Sequence, residues 1–518
     1  MSLYKNFLSV GGLTLLSRVV GFVRDALMAA VLGTGPAADA FFAAFRFPNL
    51  FRRLFAEGAF NTAFVPMFAG ALEAEGEAHA KHLAARIMAW LTAALLVITV
   101  LAELFMPVIL IPFVPGFADQ PEKFELTVLL TRILFPYLAC MSLMAAYGAI
   151  LNSLGRFFAA AFAPVLLNVV SIAVLVPLTV MALEADIAAI WVAIATLFAG
   201  FVQLLTVWIA LRRTGFMPRW QLPRIDREVR SFWMLAVPAI LTGGITQINI
   251  FVGTIIASNA QSAISYLYYA DRLYQLPLGI IGIAIGTVLL PELTRHLNGG
   301  RTEAARASQE QSVLISMLLS VPAAVALSAI AVPIVRVLFE RGAFDAEATV
   351  QSARALVAFS VGLPAFVLVR VLQPGFFARK DTITPTIFAG LSAAANIGLS
   401  LALFPAFEHV GIALATSLSA WLNTVLLMVA LAWRGHFALT ASEWLKHLAI
   451  FVISLAMGGA LWALGSRGTG LFASGGNVVL QAAALGAIIL FGILFYFTFI
   501  HITRVQPMGQ LLRRLRRG

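Results

Sequence analysis

Cysteine is almost missing from this sequence and charge is scarce. A single cysteine, Cys140, occurs among 518 residues, inside an apolar run. Intrachain disulfides and cysteine-based metal sites are therefore excluded. Only 11% of the residues are charged, where an average soluble domain carries roughly 25%. The seven histidines (His79, His82, His296, His409, His436, His447 and His501) sit mostly in loops or at the ends of apolar stretches, without metal-ligand spacing. No phosphate-binding loop of the P-loop type is present, which argues against ATP-driven pumping by this chain. The glycine-rich run from Gly279 to Gly286 reads as close helix packing and not as a nucleotide loop.

Hydrophobicity is what the chain has in abundance, at 61% of residues and a mean hydropathy of +0.94. Apolar stretches long enough to span a bilayer, about 20 residues each, recur from end to end. They fall at 8–32, 38–68, 84–112, 124–151, 158–183, 188–211, 231–257, 263–294, 309–338, 349–377, 384–405, 410–433, 444–465 and 477–502. The fold class that follows is an all-α polytopic membrane protein of about fourteen transmembrane helices. The first stretch is broken by Arg18, Arg24 and Asp25 and has no clear small-residue cleavage site, so it reads as a retained helix and not a signal peptide.

Net charge is +11. With no soluble domain to bind nucleic acid, that balance reflects cytoplasmic loops facing anionic lipid. If the N-terminus is cytoplasmic, the loops of the opposite side receive only Lys123, Arg341 and Arg467 of the 35 lysines and arginines. The positive-inside rule then places both termini in the cytoplasm, including the basic tail "LLRRLRRG".

The longest basic connection, Arg212 to Arg230, separates six stretches from the next six. The halves echo each other: "VPGFAD" before the fourth stretch resembles "RGAFD" before the tenth, and "FVPMF…EAEGEAHA" after the second resembles "LLPELTRHLNGGRTEAAR" after the eighth. A parallel duplication is the reading, with an N-lobe over 1–215, a C-lobe over 216–437, and two further helices with the basic tail over 438–518.

Ten arginines, and no lysine, lie within or at the ends of these stretches. An arginine at a helix centre costs about 2.5–3.5 kcal/mol on insertion scales, which turns such residues away from lipid. Arg18 and Asp25, seven apart, share a helix face, whereas Arg24 points about a third of a turn away. In the second stretch Asp39, Arg46, Asn49, Arg52, Arg53 and Glu57 follow one long helix, and Pro48 favours a kink beside them. The eighth contributes Ser265, Asp271 and Arg272 ahead of Pro277. Arginines outnumber the nearby acids, which favours a wet, anion-binding cavity over purely structural ion pairs. Arginine's planar fork suits phosphate oxygens. Arg46, Arg132, Arg336 and Arg354 lie near stretch ends or lack a cluster, and for them a structural role weighs equally.

The segments "SRVVGFVRDA", "ADAFFAAFRFPNLFRRLFAEGAFNTAFVP", "YYADRL" and "PGFFARKDTITP" resemble the MurJ (MviN) family of lipid II flippases over essentially the whole chain. The resemblance implies a fold of the multidrug/oligosaccharidyl-lipid/polysaccharide exporter superfamily. It further implies two lobes around a central cationic cavity and a hydrophobic groove from the last two helices for a polyprenyl tail. Family functional positions fall on Ser17, Arg18, Arg24, Asp39, Arg52, Arg53, Ser265, Asp271 and Arg272, with Asp25, Asn49 and Glu57 as neighbours and Arg370 as a further basic candidate. Gln275 departs from relatives that carry glutamate there. The implied partners are lipid II, membrane lipids and the cell-wall synthesis machinery. No cofactor is implied, and the membrane potential is the expected driving force, with the coupling ion left open. The competing readings are an exporter of drugs or of another polyprenyl-linked sugar, a membrane transferase, and a scaffold for cell-wall enzymes.

Overall fold

The computed structural model describes residues 3–51, 61–181, 183–467 and 470–505. Those residues are almost entirely helical. Nine helices among them are long and apolar enough to cross a membrane. The chain is an all-α, multi-span membrane protein, and it divides into two compact units.

Unit 1 takes in residues 1–265 and 341–344. Its helices are α1 (Leu3–Leu32), α2 (Pro36–Phe51), α3 (Asn61–Ala74), α4 (Glu77–Leu110), α5 (Pro121–Leu134), α6 (Tyr137–Ser153), α7 (Phe158–Met181), α8 (Ala185–Arg212), α9 (Arg227–Ala257) and the first turn of α10 (Ala263–Asn298). One core joins Phe64 and Phe68 of α3, Ile87 of α4, Ile150 of α6, Leu211 of α8 and Phe232 of α9. The basic connection is pinned back onto α4. Arg86 bridges Asp226 at 2.5 Å and Glu228 at 3.0 Å, and Asp226 caps α9 by accepting from Val229 N at 2.8 Å.

Unit 2 contains the rest of α10, then α11 (Thr302–Ala329), α12 (Ala331–Phe339), α13 (Ala346–Phe377), α14 (Ile383–Trp433), α15 (Ala441–Arg467) and α16 (Val478–Ile502). Leu289 and Leu293 of α10, Val371 and Phe376 of α13 and Leu427 and Leu431 of α14 form a core. The 51-residue α14 is two helices joined at Glu408, whose φ of 49° and ψ of −128° are not helical. That break lies between the stretches read from hydropathy as 384–405 and 410–433.

Prolines inside the helices withdraw backbone donors, and two of the freed carbonyls are satisfied from a different helix. Pro107 leaves Glu103 O without its helical donor, and Arg132 Nε of α5 donates to it at 3.1 Å. Pro322 does the same to Leu318 O, which accepts from the buried Tyr496 hydroxyl of α16 at 2.8 Å.

The echoed turns both carry a glycine against backbone. In the 3-10 turn Pro115–Phe117, a Cβ on Gly116 would stand 2.2 Å from Ser258 O, at the end of α9. In the second turn, a Cβ on Gly342 would stand 2.2 Å from Ala30 O of α1. Each turn thus docks by its glycine on the end of the helix that opens the other half of the sequence. The phenylalanines that follow, Phe117 and Phe344, are both fully buried.

Candidate functional site

Within unit 1 the N-terminal candidates lie along α1 and α2. Arg18 stands on the exposed face of α1. Asn168 of α7 donates to Ser17 O at 2.9 Å, so Ser17 sits at a helix crossing. Asp25 is buried and accepts from its neighbour Arg24, through Nη2 at 2.7 Å and Nε at 3.0 Å. α2 continues through Pro48 to Phe51. On it, Arg46 is hydrogen-bonded to Thr254 of α9, and Asn49 donates to Phe45 O at 3.0 Å. Arg52, Arg53 and Glu57 lie outside the described residues.

Asp39 is buried at the start of α2. It pairs with Lys123 of α5, Nζ to Oδ2 at 3.0 Å. Its other oxygen, Oδ1, accepts from both the backbone N and the Oγ of Ser265, each at 2.9 Å. Asp39 is 0% and Lys123 5% exposed, and the ammonium lies 3.9 Å from the centre of the Phe117 ring. Lys123 is therefore not the solvated loop charge the sequence suggests. It falls in the first turn of a helix that begins at Pro121 and packs on α2. Its scarcity, as one of three basic residues on its side of the loop pattern, was the only sequence signal that singled it out.

In unit 2, α10 carries Asp271 and Arg272, both half-buried. Arg272 Nη2 donates to the Tyr268 hydroxyl at 3.0 Å, and the guanidinium carbon lies 4.7 Å from the same ring's centre. Gln275, one turn after Asp271, is hydrogen-bonded to the Asp271 carboxylate. Arg370 on α13 is exposed, and its Cδ crosses α10 at Gly282, where a Cβ would come within 2.9 Å. The glycine-rich run thus serves close helix packing. Arg336, like Arg132, has structural partners: Glu340 at 2.8 Å and Phe472 O at 2.6 Å.

Unit 2 also holds an apolar cavity of about 320 Å³, lined by Pro277, Leu318, Pro322, Leu461, Ile493 and Tyr496 among others. It lies among α10, α11, α15 and α16, and Tyr496 forms part of its wall while bonding to Leu318 O. Among the described residues its lining is apolar apart from Tyr496, so it suits a hydrocarbon chain.

A lipid II flippase MurJ family model matches residues 28–480. A probable lipid II flippase MurJ of Rhizobium tropici is 46% identical over 519 residues, covering 100% of this chain and 97% of the relative. One from Rhizobium meliloti (strain 1021) is 51% identical over 438 residues, covering 84% of this chain and 82% of the relative. A solved structure of lipid II flippase MurJ in an inward closed conformation superposes with a TM-score of 0.77 at 26% identity, covering 95% of this chain and 98% of that one. An inward-facing multidrug resistance MATE family transporter of the MOP superfamily shares the fold, with a TM-score of 0.63 at 15% identity over 85% of this chain and 94% of that one. With a family model over most of its length and relatives of this identity, the chain belongs to the MurJ family of lipid II flippases.

Proposed function

We propose that this protein moves lipid II, an undecaprenyl pyrophosphate bearing a disaccharide and peptide, from the cytoplasmic to the periplasmic leaflet of the inner membrane. The observation that carries this reading is the kinship with lipid II flippases along the entire chain. It is a transporter and not an enzyme. The polyprenyl tail can remain in lipid while the polar head crosses, so the protein needs only to shelter the head through alternating access.

Arg18, Arg24, Arg52, Arg53 and Arg272 are the proposed donors to the pyrophosphate, as bidentate forks in a cationic cavity. Two of them support this by being held in place: Arg24 by Asp25 and Arg272 by Tyr268. Asp271 and Gln275 form a hydrogen-bonded pair suited to sugar or peptide groups, and the apolar cavity beside α16 suits part of the tail. With both termini cytoplasmic and an inside-negative potential, outward movement of two negative charges gains about 4–5 kcal/mol per 100 mV, at roughly 2.3 per charge. The enzymes that make and consume lipid II are the natural partners.

Depletion of the protein in its host, with variants supplied in its place, tests the reading through the amount of lipid II accessible at the outer face. Arg24→Ala, Arg53→Ala and Arg272→Ala are expected to abolish exposure at normal abundance. Normal exposure with all three would overturn the role of the arginines. Recovery with lysine at the same positions would assign the effect to charge and not to the fork.

A further inference from the structure

We propose that Lys123 is a positioning residue for this transport: its ammonium pairs with the buried Asp39 carboxylate and orients it, so that Asp39 accepts both hydrogen bonds from Ser265 and fixes the start of α10. The inference rests on the transport reading above.

Asp39 has three donors on two oxygens: Lys123 Nζ on Oδ2, and Ser265 N and Oγ on Oδ1. A carboxylate at 0% exposure is sustained only by a close counter-charge and full hydrogen bonding. Lys123 supplies the charge, and the face of Phe117, 3.9 Å away, shelters the ammonium in turn. Ser265 lies in the first turn of α10, where backbone N–H groups have no helical acceptor, so Asp39 acts as a cap delivered from another helix. Seven residues on, two helical turns later and on the same face, stands Arg272, with Tyr268 between them. Anchoring Ser265 therefore fixes the first turn of α10, the helix that also carries Arg272. None of this needs Asp39 or Lys123 to touch substrate.

The test uses the full chain in the depleted host, with lipid II exposure measured per amount of membrane-inserted protein. Retention of lipid II by the purified variants and amide hydrogen exchange in the first turn of α10 are measured alongside. Lys123→Met is expected to lower exposure by about tenfold or more, to speed exchange at Ser265, and to leave lipid II retention within about threefold. Lys123→Arg restores most of the transport. The double variant Asp39→Asn with Lys123→Met exceeds either single variant, because an amide oxygen still accepts from Ser265 and no unpaired charge remains. If Lys123→Met fails to accumulate, the Arg and double variants decide. Parental transport and exchange in Lys123→Met overturn the proposal, as does a well-folded double variant no better than the singles. Failure of the parent chain itself to expose lipid II would instead sink the transport reading and leave the exchange result to judge the lysine.

Discussion

Substituting Gly116 by alanine perturbs both the fold and the lysine site, and its cost can be worked from the backbone. The new Cβ would lie 2.2 Å from Ser258 O, 2.4 Å from Ser258 C and 2.6 Å from Asn259 Cα. All three are main-chain atoms, which cannot rotate aside, so the turn must retreat by about 1 Å to reach ordinary contact. Overpacking of this kind costs about 1–3 kcal/mol. The retreat also stretches the bond from Gly116 N to Ser258 Oγ, now 3.1 Å, whose loss adds about 1 kcal/mol. The expected destabilisation is about 2–4 kcal/mol. Gly398→Ala in α14 is the matched control: no atom lies within 4 Å of the added Cβ, so better helix propensity should stabilise by about 0.5–1 kcal/mol. The chain carries its own probe, because Cys140 is the only cysteine and is buried in α6. A thiol-reactive fluorophore added to detergent-solubilised protein during heating reports unfolding through that one residue. Gly116→Ala should unfold at lower temperature than the parent and Gly398→Ala at equal or higher temperature. Because Phe117 adjoins Gly116 and supports the Lys123 ammonium, lipid II exposure should fall as well. Equal melting of Gly116→Ala and Gly398→Ala, at or above the parent, would refute the close backbone approach.

Tyr496→Phe should cost about 1–3 kcal/mol in the same thiol assay, because it strands the Leu318 carbonyl that Pro322 has already deprived of a donor. Tyr268→Phe keeps the ring under Arg272 but removes the hydroxyl acceptor, so lipid II retention should weaken about fivefold, roughly 1 kcal/mol. Tyr268→Ala should weaken it further, and equal retention in both variants would exclude Tyr268 as a support for Arg272. In the turn between α13 and α14, the hydrogen bond from Arg434, aided by the Thr384 amide, lowers the Asp381 carboxyl to about 2. A depressed carboxylate stabilises the fold fully above its ordinary 3.8, and this contribution is lost as pH falls through about 2. Carboxyl-carbon NMR should show Arg434→Ala moving the midpoint back up, while stability changes by less than about 1 kcal/mol, since the pair is partly exposed.

The sequence by itself determined the helical, membrane-spanning class, the approximate extent of the spans, the break near residue 408 and the placing of arginines inside apolar stretches. All of these are local properties: hydropathy and helical spacing extend over a few turns, and a charge within an apolar run is costly wherever the run ends up. Family membership was equally legible, because its motifs are contiguous. Tertiary structure alone decided what each charge binds. Asp39 meets Lys123 across 84 residues and Arg46 meets Thr254 across 208. Arg132, ambiguous from sequence, serves the carbonyl freed by Pro107 on another helix. Buried polar groups bind whichever partners packing brings within about 3 Å, and that proximity is set by which helices cross, a relation no local spacing encodes.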